Sequence, residues 1–198
     1  MVHPFQCRCG TVRGEVDEPR RAMRAVCYCR DCRAYAHWLG HPGQVLDPLG
    51  GTDIVATHAR YVRLTAGTSA LACMSLSPRG LLRWYASCCN TPVGNTSRSG
   101  KLPYVGLVHS CLAQVRPLEP AFPPVQMDIN RQSALGPAPS RGGAAVMARF
   151  LAKMLRLAAA RLTGSWRRSP FFDRAGHPVV PVHVPPKAEV EAARRAAG

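Results

Sequence analysis

Residues 26–40 read VCYCRDCRAYAHWLG. Three cysteines, Cys27, Cys29 and Cys32, fall within six positions at C-x-C-x-x-C spacing. On a strand, the two side chains of a C-x-C pair share one face about 6.5 Å apart. Two thiolates on one zinc approach to about 3.7 Å. The chain must therefore bend beyond the pair, and Cys32 must swing back one helical turn later. Upstream, Cys7 and Cys9 precede Gly10, which tolerates the positive φ of such a bend. Far downstream come Cys88 and Cys89. The chain thus carries two clusters, Cys7 and Cys9 with Cys88 and Cys89, and Cys27 with Cys29 and Cys32. Metal ligation and burial as small hydrophobes are the two readings of these cysteines. Cys73 and Cys111 stand alone in apolar strand contexts and read as buried hydrophobes.

The surroundings are β-rich. TVRGEV places Val12, Gly14 and Val16 on one face and Thr11, Arg13 and Glu15 on the other, the alternation of a half-buried strand. RAMRAVCYC, DIVATHARYVRL, ALACMSLS, GLLRWYAS and PYVGLVHS supply further short extended runs. Turn signals at 50–51, 66–69, 77–80 and 95–100 separate them. A short helical turn is expected after Cys29, with Asp31 as its N-cap.

From 117 to 142 the chain is rich in Pro, Gly and Ser and reads as a linker or a strap across the surface. Residues 143–163 are an amphipathic helix, with Met147, Phe150, Leu151, Met154, Ala158 and Leu162 as its apolar stripe. That stripe is expected to dock on the β domain or on a second copy in a homodimer. Arg149, Lys153 and Arg156 lie on another face. The tail from 169 to 198 is proline-rich and is expected to be irregular.

Lys and Arg total 26 against 11 Asp and Glu, a net charge of +15. Seven of the basic residues lie between Arg141 and Arg168, with no acidic one among them. A basic, alanine- and proline-rich chain follows from GC-rich coding, or it marks attraction to nucleic acid, a membrane surface or an acidic small molecule. The N-terminus shows no apolar leader, and no run reaches the length of a membrane span. The nine cysteines are therefore expected to lie in a reducing cytoplasm, where close spacing means metal or catalysis.

Three segments, CRCGTVRGEV, VCYCRDCRAYAHWLG and LRWYASCCNTPVGN, resemble the glutathione-dependent formaldehyde-activating enzyme family, which includes the centromere protein V type. They span about residues 5–110. The resemblance implies a mainly β, Mss4-like β-tent of short antiparallel strands with zinc sites. The domain bounds are then a zinc-binding β domain over 1–116, to which the resemblance belongs, and outside the family pattern a strap over 117–142, a basic helix over 143–168 and the tail over 169–198. The resemblance also implies a structural zinc on Cys7 and Cys9 with late-strand cysteines. A second, catalytic zinc would be held by Cys27, Cys29 and Cys32 with a fourth position open. The late motif departs from the family's C-x-x-C-G-T: Ala86 stands at the first cysteine and Asn90 at the glycine, so either Cys88 serves beside Cys89 or the site has only three cysteines. His37 follows Cys32 at C-x4-H spacing and either closes the second site or packs nearby.

The activity implied is a carbon–sulfur lyase reaction on a thiol–aldehyde adduct such as S-hydroxymethylglutathione. A small thiol such as glutathione carries carboxylates, for which Arg30, Arg33 and Arg83 are candidate partners. For any one of the three, a solvated surface arginine is the plainer reading. The rival is a non-enzymatic zinc module whose basic helix contacts nucleic acid or a membrane surface.

Overall fold

Burial follows the alternation in TVRGEV: Val12, Gly14 and Val16 are buried, while Arg13 is exposed. The structure, a computed structural model describing residues 1–198, places β2 (Arg13–Asp17) between β1 (Val2–Gln6) and β5 (Val62–Ala66) in an antiparallel sheet. Gly14 is required there, because a Cβ would meet the Phe5 ring at 2.2 Å and the Arg63 carbonyl oxygen at 2.4 Å.

A second sheet has eight strands. They are β3 (Met23–Cys27), β4 (Thr52–His58), β6 (Leu71–Met74), β7 (Leu82–Ala86), β8 (Thr91–Thr96), β9 (Tyr104–Val108), β10 (Met127–Ile129) and β11 (Val182–His183). Their order is β10-β3-β4-β9-β8-β7-β6-β11. Four helices accompany them: α1 (Arg30–Trp38), α2 (His109–Leu112), α3 (Ala144–Leu162) and α4 (Lys187–Ala196). The fold is mainly β, as the strand patterning implies. The strands are not all antiparallel, however. β10 joins β3 and β11 joins β6 in parallel. Parallel neighbours need long connections, and the strap and the tail both return to the sheet from far along the chain.

Register divides the large sheet into two working faces. Val55, Leu107, Trp84 and Cys73 share one face and pack with Phe5, Val16 and Val62 of the small sheet in the main core. Cys111 lies in the same core, so both isolated cysteines are buried hydrophobes. The opposite face carries Cys27, Ile54, Gly106, Asn95 and Arg83, and it is this face that the cysteine cluster occupies.

Two sequence expectations are corrected. The tail is not irregular: Phe171 and Phe172 are buried against Trp84, at 5.0 and 5.9 Å between ring centroids. Beyond them β11 pairs with the sheet edge, and α4 packs Val190 and Ala193 against Ala34, Tyr35 and Leu39 of the α1 region. Proline excludes ladder donors locally but leaves the intervening VH free to pair. The second correction concerns α3. It docks through Leu157 and Ala160, with Lys153 donating to the carbonyls of Arg21 and Ala56 at 3.1 and 2.8 Å. Met147, Leu151 and Leu162 of the expected stripe are exposed. Apolar residues cover most of the helix circumference, so tertiary contacts, among them the Arg21 and Ala56 carbonyls, choose the face rather than the stripe.

Candidate metal centres

Cys7 ends the β1 side of the hairpin loop that leads to β2. Gly10 adopts φ 76° there, and its N–H donates to the Cys7 carbonyl at 2.9 Å. Cys88 and Cys89 lie on the turn between β7 and β8, which Asn90 closes with φ 54°. Glycine and asparagine both tolerate this left-handed conformation. The four sulfurs converge to within 4.8 Å of one another. The shorter separations are Cys7–Cys9 3.5 Å, Cys7–Cys88 3.9 Å, Cys9–Cys88 3.2 Å and Cys88–Cys89 3.9 Å. These bracket the roughly 3.7 Å sulfur–sulfur edge of a zinc tetrahedron. The Val12 N–H donates to Cys7 Sγ at 3.2 Å, and the Thr11 and Thr91 hydroxyls lie 3.2 and 3.1 Å from Cys9 and Cys89 Sγ. Such donors favour thiolate over thiol. Hydrogen bonding from Thr11 pulls Cys9 down to about 6. The donor set fits a tetrahedral thiophilic metal.

Cys27 closes β3, Cys29 precedes α1 and Cys32 sits in its first turn. The N-cap is Cys29, not Asp31: its Sγ accepts from the Cys32 N–H at 3.3 Å. Asp31 instead pairs with Arg194 of α4 at 3.0 Å. Sulfur at a helix N-terminus sits at the positive end of the macrodipole, which favours the thiolate. The three sulfurs lie within 4.8 Å of one another, with Cys27 and Cys32 at 3.8 Å. No fourth Cys, His, Asp or Glu joins the group. His37 lies in the last turn of α1, outside it.

Around these sulfurs Arg83 and Asn95 are buried, Tyr104 is half-buried and Asn130 is exposed, and none of the four is acidic. Arg83 is 4% exposed, with Nη1 4.0 Å from Cys32 Sγ and 3.4 Å from Asn95 Oδ1. Its guanidinium stacks over Tyr35 at 5.0 Å. It has no carboxylate partner. Burial opposes its charge, but Cys32, then Tyr35 and Cys29, outweigh burial and raise its pKa. A buried cation without an acid is costly unless an anion faces it, and the cysteine sulfurs are the groups placed to supply that charge. Asn130, in the left-handed region at the end of β10, donates Nδ2 to Cys27 Sγ at 3.4 Å. Cys29 and Cys32, together with this amide, hold Cys27 far below the ordinary thiol range. The strap thus lies against the cluster. Tyr104 leans along β9 over Gly106, where a Cβ would meet its hydroxyl at 2.6 Å. Burial, with Cys32 and Cys27 adding, pushes Tyr104 up to about 12. Its hydroxyl makes no hydrogen bond within the chain.

Of the three arginines read as thiol-carboxylate partners or solvated surface groups, only Arg30 is exposed. Arg33 is 2% exposed and donates to the main-chain oxygens of Tyr28, Ala197 and Gly198 at 3.0, 3.0 and 3.2 Å, and to that of Ser133. It ties α1 to α4 and to the strap. Arg83 faces the cysteines. Sequence reading missed Asn95, Tyr104 and Asn130. The strand period in TPVGNT and PYVGLV carried the signal for the first two, because it decides which side chains share the Arg83 face. Asn130 gave none, sitting in a Pro-rich stretch.

The chain matches DUF6151, a family of unknown function, over residues 1–183, and it belongs to that family. No curated protein matches it. Among solved structures, a Rhodobacter sphaeroides protein from a structural genomics programme is 20% identical. That likeness covers 58% of this chain and 91% of the other, at a TM-score of 0.41.

Proposed function

We propose that this DUF6151 member binds two zinc ions and acts as a carbon–sulfur lyase-type enzyme on a thiol–aldehyde adduct, at the Cys27, Cys29 and Cys32 centre. The observation that carries the reading is a three-sulfur cluster with no fourth protein ligand, set beside a buried Arg83 that lacks a carboxylate. The resemblance of its cysteine motifs to the formaldehyde-activating family supports the same reaction class. The four-cysteine centre takes the structural role, since its donors are complete without substrate.

Zinc at the three-cysteine centre would supply Lewis acidity and keep a bound substrate sulfur as thiolate. The remaining work falls to the chain. Arg83 offsets the negative charge of the sulfurs. Asn130 orients Cys27. Tyr104, kept protonated, offers Oη to the oxygen that changes between hydroxyl and carbonyl. In the lyase direction the hydroxyl proton of the adduct R–S–CH2–OH passes to solvent, the C=O bond forms as the C–S bond breaks, and its electron pair leaves on sulfur, giving formaldehyde and the thiolate, which becomes the thiol on taking up a proton from solvent. Addition reverses each step.

The test is exchange spectroscopy on isotope-labelled formaldehyde with glutathione. Zinc-loaded protein should accelerate interconversion of free aldehyde and adduct. Cys29→Ser should abolish the acceleration while retaining the fold and the zinc of the other centre. Equal acceleration by Cys29→Ser, or none by the wild type, would sink the proposal.

A further inference from the structure

Viewed down its axis, α3 buries Leu157 and Ala160, half-buries Lys153 and turns the opposite side to solvent. That outer side is apolar: Met147 is 49% exposed, Leu151 55%, Leu155 71% and Leu162 89%. At 100° per residue these four span less than a third of the circumference, with Ala144, Ala148 and Ala158 filling the gaps. Cations stand on the shoulders, Arg149 and Arg156 on one flank and Arg161 on the other. An exposed apolar face of this width marks a contact surface rather than ordinary scatter.

Beside the helix lies a cavity of about 620 Å³. Arg149, Lys153 and Arg156 line it from α3, and Arg20, Arg21 and Arg60 from the body of the protein. No carboxylate lines it. Glu18 pairs with Arg21 at 3.0 Å outside the lining, and the two Lys153 hydrogen bonds go to main-chain carbonyls. The other cations face the cavity without acidic partners. Ala152 and Ala159 belong both to the cavity wall and to the exposed part of the helix, so the cavity opens beside the apolar stripe. It lies at the Met23 end of β3, whereas the cysteines cluster at the Cys27 end.

We propose that the outer face of α3 and this cationic cavity form one docking surface for an anionic phospholipid membrane, the stripe entering the interface and the cavity taking a headgroup phosphate. Charge complementarity selects this occupant. A second copy docked on the same face would set Arg149, Arg156 and Arg161 against their own like charges. Nucleic acid would use the cations and leave the leucines wet. An anionic bilayer uses both, in the manner of a helix lying in the interfacial plane. No helix is long and apolar enough to cross a membrane, so α3 lies on the surface.

The experiment uses the full chain with phosphatidylcholine vesicles, with and without a third of phosphatidylglycerol, read by co-sedimentation. Binding should require the anionic lipid and weaken steeply with salt. The double variant Leu151→Asp, Leu155→Asp should bind about tenfold or more weakly. So should Arg149→Ser, Arg156→Ser, at about fivefold per cation lost. All four side chains lie outside the buried seam, so melting temperatures should hold. Four outcomes overturn the proposal. One is wild type that ignores anionic vesicles. Another is a leucine variant that binds them undiminished, with soluble glycerol phosphate competing fully, which makes the cavity a free-anion site. The third is a wild-type dimer that Leu151→Asp, Leu155→Asp makes monomeric. The last is duplex DNA retained equally by wild type and leucine variant.

Discussion

The guanidinium of Arg83 lies 4.0 Å from Cys32 Sγ, buried to 4% exposure, and makes no ion pair with a carboxylate. β7 carries the arginine and α1 the cysteine, so the pair joins the sheet to the helix that holds the cluster. If this cation balances metal-bound thiolates, Arg83→Leu should weaken zinc at the three-cysteine centre by about 10–100-fold. Chelator competition would show one zinc leaving readily and one held. Undiminished affinity at both centres would remove Arg83 from the site.

Protein purified without added zinc should carry about two zinc ions per chain, from the two sulfur clusters. Cys88→Ser and Cys89→Ser should each cost one zinc, and Cys73→Ser and Cys111→Ser none. Cys7→Ser should also unfold the small sheet and its hairpin, since a structural zinc contributes on the order of 10 kcal/mol in small domains. Elemental analysis with native thiol titration decides this. Metal near zero with reactive cysteines contradicts it.

Phe171→Ala should cost about 3–5 kcal/mol, because the ring is fully buried on Trp84. Urea unfolding followed by tryptophan fluorescence measures it. A cost below about 1 kcal/mol would mean the tail is not part of the core.

Leu157→Ala should cost about 2–5 kcal/mol, since Leu157 is 2% exposed. Leu155→Ala, two positions away and 71% exposed, should stay within about 0.5 kcal/mol. A reversed order would contradict docking through Leu157 and Ala160.

Burial, with Arg156 adding, lowers Lys153 from 10.5 to about 8. Between those values the unfolded chain holds the proton and the folded chain does not, so this residue's contribution to stability rises with pH across that window. Below about 8 both states are charged and the full cost of burying the cation applies. Relative to Lys153→Met, wild type should therefore gain stability from pH 8 towards 10.5. Parallel urea-unfolding series on the two proteins report the difference. A flat difference would place the ammonium in water.

The cysteine pairs and their bends were legible because they rest on local chemistry. Ligand spacing needs only a few residues, and the left-handed φ of Gly10 and Asn90 follows from side-chain sterics at single positions. The strand alternation in TVRGEV and the span of α3 are local in the same sense. Only tertiary structure decided what closes around the cysteines. Arg83, Asn95 and Tyr104 share a face through β-sheet register, and Asn130 arrives on a strap that pairs with β3. No short window contains those contacts. The same holds for the tail, whose prolines discourage local helix or ladder while Phe171, Phe172 and Val190 find partners already folded. In α3 the sequence offers apolar residues on nearly every side. The two carbonyls that accept from Lys153 belong to distant elements, and they help decide which side faces inward. Local sterics and metal-ligand spacing are written in neighbouring residues. Burial and charge balance are set by what the rest of the chain brings back.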